Sequence, residues 1–155
     1  MGLLLKNFLE LDAKESALVL RWRNHKNVAP FMKHKQVALE EHLHFLERLK
    51  KDSTKAYFLV YENQTPIGVI DFVEIVPLQS CEFGVYQSPF LKGYGEMLMQ
   101  EVLDYAFKTL SVKELKACVF KSNVKALELY LRFQFKIIKE SAEMYNVSLS
   151  VGGGA

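Results

Sequence analysis

The run Tyr86-Gln87-Ser88-Pro89-Phe90-Leu91-Lys92-Gly93-Tyr94-Gly95-Glu96 decides how the chain is read. It leaves an apolar, strand-like stretch at 81–86, crosses a polar segment with one proline and two glycines, and enters a helical pattern at Glu96. Gly93 and Gly95 carry no Cβ, so the backbone there turns sharply and approaches a ligand closely. The helix behind them turns unpaired N–H groups and the positive end of its dipole toward the loop. Strand, glycine loop and helix N-terminus in that order suit a phosphate or pyrophosphate, to which Lys92 adds a charge. Two glycines before a helix also serve as plain turn chemistry, and the loop alone leaves both readings open. It is no Walker loop, since Gly-Lys-Ser/Thr is absent at the required spacing. It is no dinucleotide fingerprint either, since the third glycine is missing and the strand before it belongs to a meander. Nucleotide hydrolysis and hydride transfer are thereby excluded.

Upstream, the pattern has period two. Residues 56–61, 67–75 and 81–86 read as strands joined by turns at 63–66 and 77–80, an antiparallel meander. Before them lie a strand at 3–9, a helix at 14–24 with Leu18 and Trp22 one turn apart and Asp12 as cap, and a helix at 39–51 with Leu39, Leu43, Leu46 and Leu49 recurring at three and four. Between the helices, a polar break opens on Arg23, Asn24 and His25. Downstream follow a helix at 96–109 with Leu98, Val102, Tyr105 and Ala106 as its buried stripe, a strand at 114–120, a helix at 123–133, a strand beginning at 135–138 and a last strand at 144–150. The fold class is α+β, a single mixed, mostly antiparallel central sheet flanked by helices, with a strand–loop–helix–strand unit in its second half.

Length and composition agree with this order. The 155 residues, half of them hydrophobic and a quarter charged, suit one domain over 1–150 and a flexible tail at 151–155. A net charge of +2, spread along the chain, gives no reason to expect a nucleic-acid partner. The opening apolar triplet is far too short for a signal peptide, and Lys6 stands where a myristoylation signal starting at Gly2 needs Ser or Thr. No run approaches the roughly 18 apolar residues that cross a bilayer. A cytoplasmic protein without membrane contact is expected. Cys81 and Cys118 read as small buried hydrophobes, with a catalytic thiol as the alternative.

Two motifs then stand in order on the elements expected of them. Phe90-Leu91-Lys92-Gly93-Tyr94-Gly95 resembles the cofactor loop of the GNAT (GCN5-related N-acetyltransferase) superfamily, Gln/Arg-x-x-Gly-x-Gly/Ala, at both glycines, departing from it at Phe90. Asn123-Val124-Lys125-Ala126-Leu127-Glu128-Leu129-Tyr130 is similar to that family's Asn-to-Tyr helix, although Gln134-Phe135 replaces the usual Gly-Phe after it. The resemblance runs from residue 3 to about 150 and implies the GNAT fold, with acetyl-CoA held where two central strands splay apart. A narrower resemblance, to the sugar-nucleotide N-acetyltransferases of pseudaminic acid biosynthesis, is carried by Arg21-Trp22-Arg23-Asn24-His25, Glu40-Glu41-His42, Gly68-Val69-Ile70-Asp71-Phe72 and Cys81-Glu82-Phe83-Gly84-Val85-Tyr86. It implies acetylation of the 4-amino group of a UDP-linked amino-dideoxy sugar, on the route to glycosylated flagellin. The Arg-Asn-His element also occurs in acetyltransferases of protein N-termini. A protein N-terminal or small-amine acetyltransferase and a non-catalytic acyl-CoA-binding module therefore remain as alternatives.

The resemblance also implies roles. Backbone groups near Val85 and Tyr86 hold the pantetheine, and the amides of Leu91, Lys92, Gly93, Tyr94, Gly95 and Glu96 take the pyrophosphate. Asn123 and Lys125 add cofactor contacts, while Asn123 or Ser122 otherwise simply caps its helix. Tyr130 becomes the general acid for the coenzyme A thiolate; periodicity alone makes it a buried aromatic sharing a face with Ala126 and Phe133. Glu82, a carboxylate in an apolar strand, is the leading base, with solvent exposure as the plain alternative. His25 is second and Asp71 a distant third. Arg23, Asn24, His25, Phe31, Met32 and Tyr86 line the expected substrate cleft. His42 and His44, about 200° apart on a helix, cannot share a metal, and no metal is expected. A homodimer through an exposed edge strand near 144–150 is one option.

Overall fold

The computed structural model describes residues 3–32 and 36–151; the glycine tail at 152–155 and the Gly2 position lie outside them. Seven strands and four helices follow in the order β1 (Leu3–Asn7), α1 (Ala13–Asn24), α2 (Leu39–Leu49), β2 (Ala56–Glu62), β3 (Thr65–Val76), β4 (Ser80–Gln87), α3 (Gly95–Asp104), β5 (Glu114–Phe120), α4 (Val124–Arg132), β6 (Lys136–Glu140) and β7 (Met144–Ser150). A π-helical turn at Tyr105–Thr109 prolongs α3. One sheet runs β1-β2-β3-β4-β5-β7-β6. Every neighbouring pair is antiparallel except β4 and β5.

The meander forms as expected, closed by tight turns in which Asn63 (φ 57°) and Leu78 (φ 64°) adopt left-handed backbone. Strand alternation then divides the sheet into two working faces. Phe58, Val60, Ile70, Phe72, Cys81, Phe83, Leu115 and Ala117 point to one side, where Leu98, Met99 and Val102 of α3 and Tyr130 of α4 complete the main core. Leu59 and Val69, with Tyr57, Tyr61 and Tyr86, point to the other, beneath Val19 and Trp22 of α1 and Leu49 of α2.

Three expectations need correction. The buried positions of α2 are His42 and Leu49, with Phe45 and Leu46 packed beside them, while Leu39 and Leu43 stand exposed. The stripe at 42, 45, 46 and 49 follows the helical period more closely than the leucine series, and His42 tolerates it because burial lowers its pKa and holds it neutral. The last strand, β7, is not at an edge: it lies between β5 and β6. Val147 of β7 is fully buried, whereas β6 is exposed throughout and carries Lys136, Lys139 and Glu140, a composition that tolerates the edge. Strand β1 ends at Asn7, whose side chain accepts from the Leu9 N–H at 2.8 Å and starts a 3-10 turn.

Helix α1 is fastened to the sheet by one carboxylate. Glu15 accepts from Tyr61 Oη at 2.6 Å, from Lys6 Nζ at 2.9 Å and from the Asp12 N–H at 2.9 Å, while Asp12 Oδ1 accepts from the Glu15 N–H at 2.8 Å. The last two bonds form a capping box. The Tyr61 hydroxyl, then the backbone bond and Lys6, depress the Glu15 carboxyl to about 2. Its stabilisation is therefore complete above the ordinary carboxylate range and is lost as pH falls through about 2. Asp12→Ala is expected to cost about 1 kcal/mol in urea unfolding at neutral pH. Glu15→Gln is expected to flatten the fall of the thermal midpoint between pH 5 and 2, relative to wild type, over roughly the span in which Glu15 gains its proton.

Candidate active site

Strands β4 and β5 pair at three positions only: Ser80 with Glu114, Cys81 with Leu115 and Glu82 with Lys116. Beyond them β4 runs on to Gln87 beside β3, and β5 runs on to Phe120 beside β7. The two therefore diverge into a wedge that opens toward their C-terminal ends. Helix α3 starts just past one arm and α4 just past the other. Both positive helix ends thus face the opening.

The loop on the β4 arm is held from beneath. Ser88 is buried, its N–H donates to the Ile67 carbonyl at 2.8 Å, and its hydroxyl oxygen accepts from the Phe90 N–H at 3.3 Å. Gln87 Oε1 accepts from the Tyr94 N–H at 3.1 Å, and the Tyr94 hydroxyl donates to Glu62 at 3.0 Å. The first intrahelical bond of α3 is Leu98 N–H to the Tyr94 carbonyl, which leaves the N–H groups of Gly95, Glu96 and Met97 to an outside acceptor. Gly93 takes φ +85°, with no atom within 4 Å of the place a Cβ would occupy, so the loop presents bare backbone. The sequence signals the glycines and the helix start, and misses Gln87, whose grip on the Tyr94 amide appears only once the loop is folded. Asn123 is the N-cap residue of α4 but makes no side-chain capping bond there. Lys125, in the first turn of α4, is exposed.

At the vertex, Phe83 is the first β4 residue past the last β4–β5 pair. The Tyr130 ring meets it edge-on at 5.3 Å, and Phe135 packs on both. Tyr130 is only 6% exposed, and burial, then the charge of Asp71, pushes its phenol far above its ordinary value, so it keeps its proton.

Polar groups gather on the opposite face. Asp71 faces Gly84 across β3 and β4, with Glu82 one step along the same face of β4. Arg23 reaches this face from α1; burial lowers its pKa, and Tyr86 and Tyr57 counter that. Cys118 is not a buried hydrophobe: its thiol donates to Asn146 Oδ1 at 2.9 Å and lies 4.0 Å from Glu82 Oε1. Cys81, by contrast, is fully buried, and its thiol is pushed up to about 11.

Two residues expected in the substrate cleft also make local hydrogen bonds. Asn24 donates to the Val37 carbonyl at 2.7 Å and accepts from the Val37 N–H at 2.7 Å, so its amide straps the segment before α2. His25 Nδ1 accepts from the Asn27 N–H at 3.0 Å. Its ring stands edge-on to Phe90 at 5.1 Å, joining α1 to the glycine loop. Phe31 is partly exposed beside Met32, at the end of the 3-10 turn Ala29–Phe31. Among the described residues no cluster of His, Cys, Asp and Glu is arranged to hold a metal, and no helix is long and apolar enough to cross a membrane.

Comparison with known proteins agrees with this layout. Residues 3–136 match the acetyltransferase (GNAT) domain. The chain is 51% identical over 145 residues to acetyltransferase PseH of Campylobacter jejuni, covering 94% of this chain and 92% of that protein. The crystal structure of C. jejuni N-acetyltransferase PseH in complex with acetyl coenzyme A superposes with a TM-score of 0.85 at 47% identity, covering 97% of this chain and 99% of that one. Spermidine N-acetyltransferase from Vibrio cholerae in complex with CoA and spermine reaches the same TM-score at 20% identity over 96% and 95%, a likeness of fold alone.

The close seating of α3 against β4 depends on Gly68, where a Cβ would lie 2.6 Å from the Tyr86 carbonyl oxygen and 2.7 Å from Leu98 Cδ1. The oxygen belongs to the backbone and cannot swing away. Gly68→Ala is expected to destabilise the protein by about 1–3 kcal/mol in urea unfolding.

Proposed function

The chain belongs to the acetyltransferase (GNAT) family and is an acetyl-CoA-dependent N-acetyltransferase, and from that premise we propose that it transfers acetyl to the 4-amino group of a UDP-linked amino-dideoxy sugar in pseudaminic acid biosynthesis. The observation that carries the catalytic part is the placement of Tyr130 against Phe83, at the vertex where β4 and β5 part. Acetyl-CoA supplies an already activated acyl group, so the protein needs only to align the amine, remove its proton and protonate the sulfur.

The wedge fits such a ligand. The N–H groups of Gly95, Glu96 and Met97 and the bare backbone at Gly93 face its open end, where the pyrophosphate belongs. Leu91, Lys92 and Tyr94 shape the same loop, with Asn123 and Lys125 across the mouth. Phe83 to Tyr86, past the last β4–β5 pair, offer the backbone for the pantetheine. In this reading Tyr130, kept protonated by burial, gives its proton to the departing thiolate. Glu82 receives the proton of the amine from the other face.

The acceptor side favours a nucleotide. Arg23, Tyr57 and Tyr86 stand together on the face beneath α1 and α2, a half-buried guanidinium with aromatic rings suited to a diphosphate and a base, while the carboxylates Asp71 and Glu82 sit centrally rather than around a peptide-binding rim. Phe31 and Met32 at the entrance extend the apolar contact. A cytoplasmic location, where acetyl-CoA and a sugar nucleotide would meet, is part of the same reading.

Thiol release from acetyl-CoA, measured with the UDP-4-amino sugar against a panel of amines and N-terminal peptides, tests the proposal. Fast release is expected with the sugar nucleotide alone, and Tyr130→Phe is expected to lower kcat by about 100-fold. Turnover confined to peptides or simple amines would overturn the sugar-nucleotide assignment, and an unchanged kcat in Tyr130→Phe would overturn the acid.

A further inference from the structure

We propose that Asp71 is a positioning residue for the base: its carboxyl and that of Glu82 share one proton, so that Glu82 accepts the proton of the attacking amine at neutral pH. The inference rests on the reading of Glu82 given above.

The geometry begins with a missing side chain. Asp71 and Gly84 are partners across β3 and β4. A Cβ built on Gly84 would lie 2.5 Å from Asp71 Oδ1 and 3.1 Å from Oδ2 and Cγ, so the carboxyl lies flat over the glycine in space that any other residue would fill. Glu82 pairs with Val73, two residues from each partner, which makes Asp71 and Glu82 diagonal neighbours on one face. That spacing, roughly 7–8 Å between backbones, is within reach of a glutamate side chain.

Burial and, second, the nearby Glu82 raise the Asp71 carboxyl to about 7, with Lys55 opposing. Other groups reach this face: Tyr57 from β2, Arg23 from α1, Tyr86 from β4, and Lys116 and Cys118 from β5, while α2 covers it with Phe45, Leu46 and Leu49 and Tyr130 senses Asp71 from α4. The cations Lys55 and Lys116 favour a single negative charge on the pair, and mutual repulsion of the carboxylates disfavours a second. A solitary carboxylate titrating near 4.3 is a weak base at neutral pH, whereas a pair sharing a proton is matched to it.

The protons balance. The acceptor enters as an ammonium with three hydrogens on nitrogen and leaves as an amide with one. As the N–C bond forms and the C–S bond breaks, one surrendered proton is matched at sulfur, by way of Tyr130. The other passes to the Glu82–Asp71 pair and then to water.

The pH dependence of kcat, followed from about pH 5 to 9 with both substrates saturating, tests the pairing. The acceptor is the sugar nucleotide or, should that not react, the best amine of the panel. Wild type is expected to show an acid limb near neutrality. Asp71→Asn is expected to move that limb down by about one pH unit or more. Gly84→Ala, whose new methyl displaces the Asp71 carboxyl without touching Glu82, is expected to move it in the same direction. An acid limb left in place by both variants overturns the pairing. Glu82→Gln separates the two levels of the argument: if it retains kcat, the base assignment itself falls, and if it loses kcat while Asp71→Asn leaves the limb unmoved, only the pairing falls. Because the Asp71 pKa is raised, its contribution to stability is present below the ordinary carboxylate range and is lost as pH rises through about 7. Asp71→Asn at pH 8 is therefore expected to melt no lower than wild type; a lower midpoint with an unmoved limb assigns Asp71 to structure alone.

Discussion

Everything at the site follows from how briefly β4 and β5 stay together. A parallel pair normally continues its ladder, because each further residue satisfies another N–H and C=O. Here the ladder stops after Glu82 and Lys116, and each strand keeps only its outer antiparallel partner, β3 or β7. Backbone edges inside a sheet are thus left for a ligand to satisfy. Such a gap requires its neighbours to hold the strands apart. Phe83, Tyr130 and Phe135 fill the vertex on one face, and the hairpin β6–β7 keeps β5 paired on its far side. The wedge is therefore a consequence of packing, and the same ring that props it open is the one best placed to act as acid.

Close backbone approach at two glycines aligns the rest. Gly68 lets α3 settle on β4, which brings the three unpaired N–H groups of its first turn over the wedge mouth. Gly84 lets the Asp71 carboxyl cross onto β4 on the other face. The proposed acid and base thus stand on opposite sides of one strand, Tyr130 over Phe83 and the carboxylates beside Gly84. Consecutive residues of a strand point to opposite faces, so a single step in register, from 83 to 84, separates the two functions.

Much of this was legible in the sequence, and the limits have physical causes. The element order, the antiparallel meander and the glycine loop can be read because each depends on local periodicity or turn chemistry. The edge position was misread because strand order is set by tertiary pairing, and nothing within 144–150 reveals that β6 folds outside it. The stripe of α2 was misread because four leucines outweigh one buried histidine by eye, although the helical period passes through His42. Asp71 ranked low because its significance depends on a glycine thirteen residues away along the chain, and only the register brings the two together. The bonds of Asn24 to Val37 were not legible either, because they form across a segment whose course is not encoded locally.

Those strap contacts bear on the acceptor site. The Asn24 amide saturates the Val37 backbone, and His25 turns its ring to Phe90, so the end of α1 is fixed to α2 on one side and to the glycine loop on the other. Arg23 comes just before this anchored pair, close enough to Tyr86 and Tyr57 to feel their hydroxyls. A guanidinium on a long stem loses several rotors when it orders, and a fixed helix end reduces the freedom left to lose on binding. Phe90, where the family's loop usually carries Gln or Arg, then has a role of its own. Its ring packs edge-on against His25, and so couples the glycine loop proposed to hold acetyl-CoA to the end of the helix that carries Arg23.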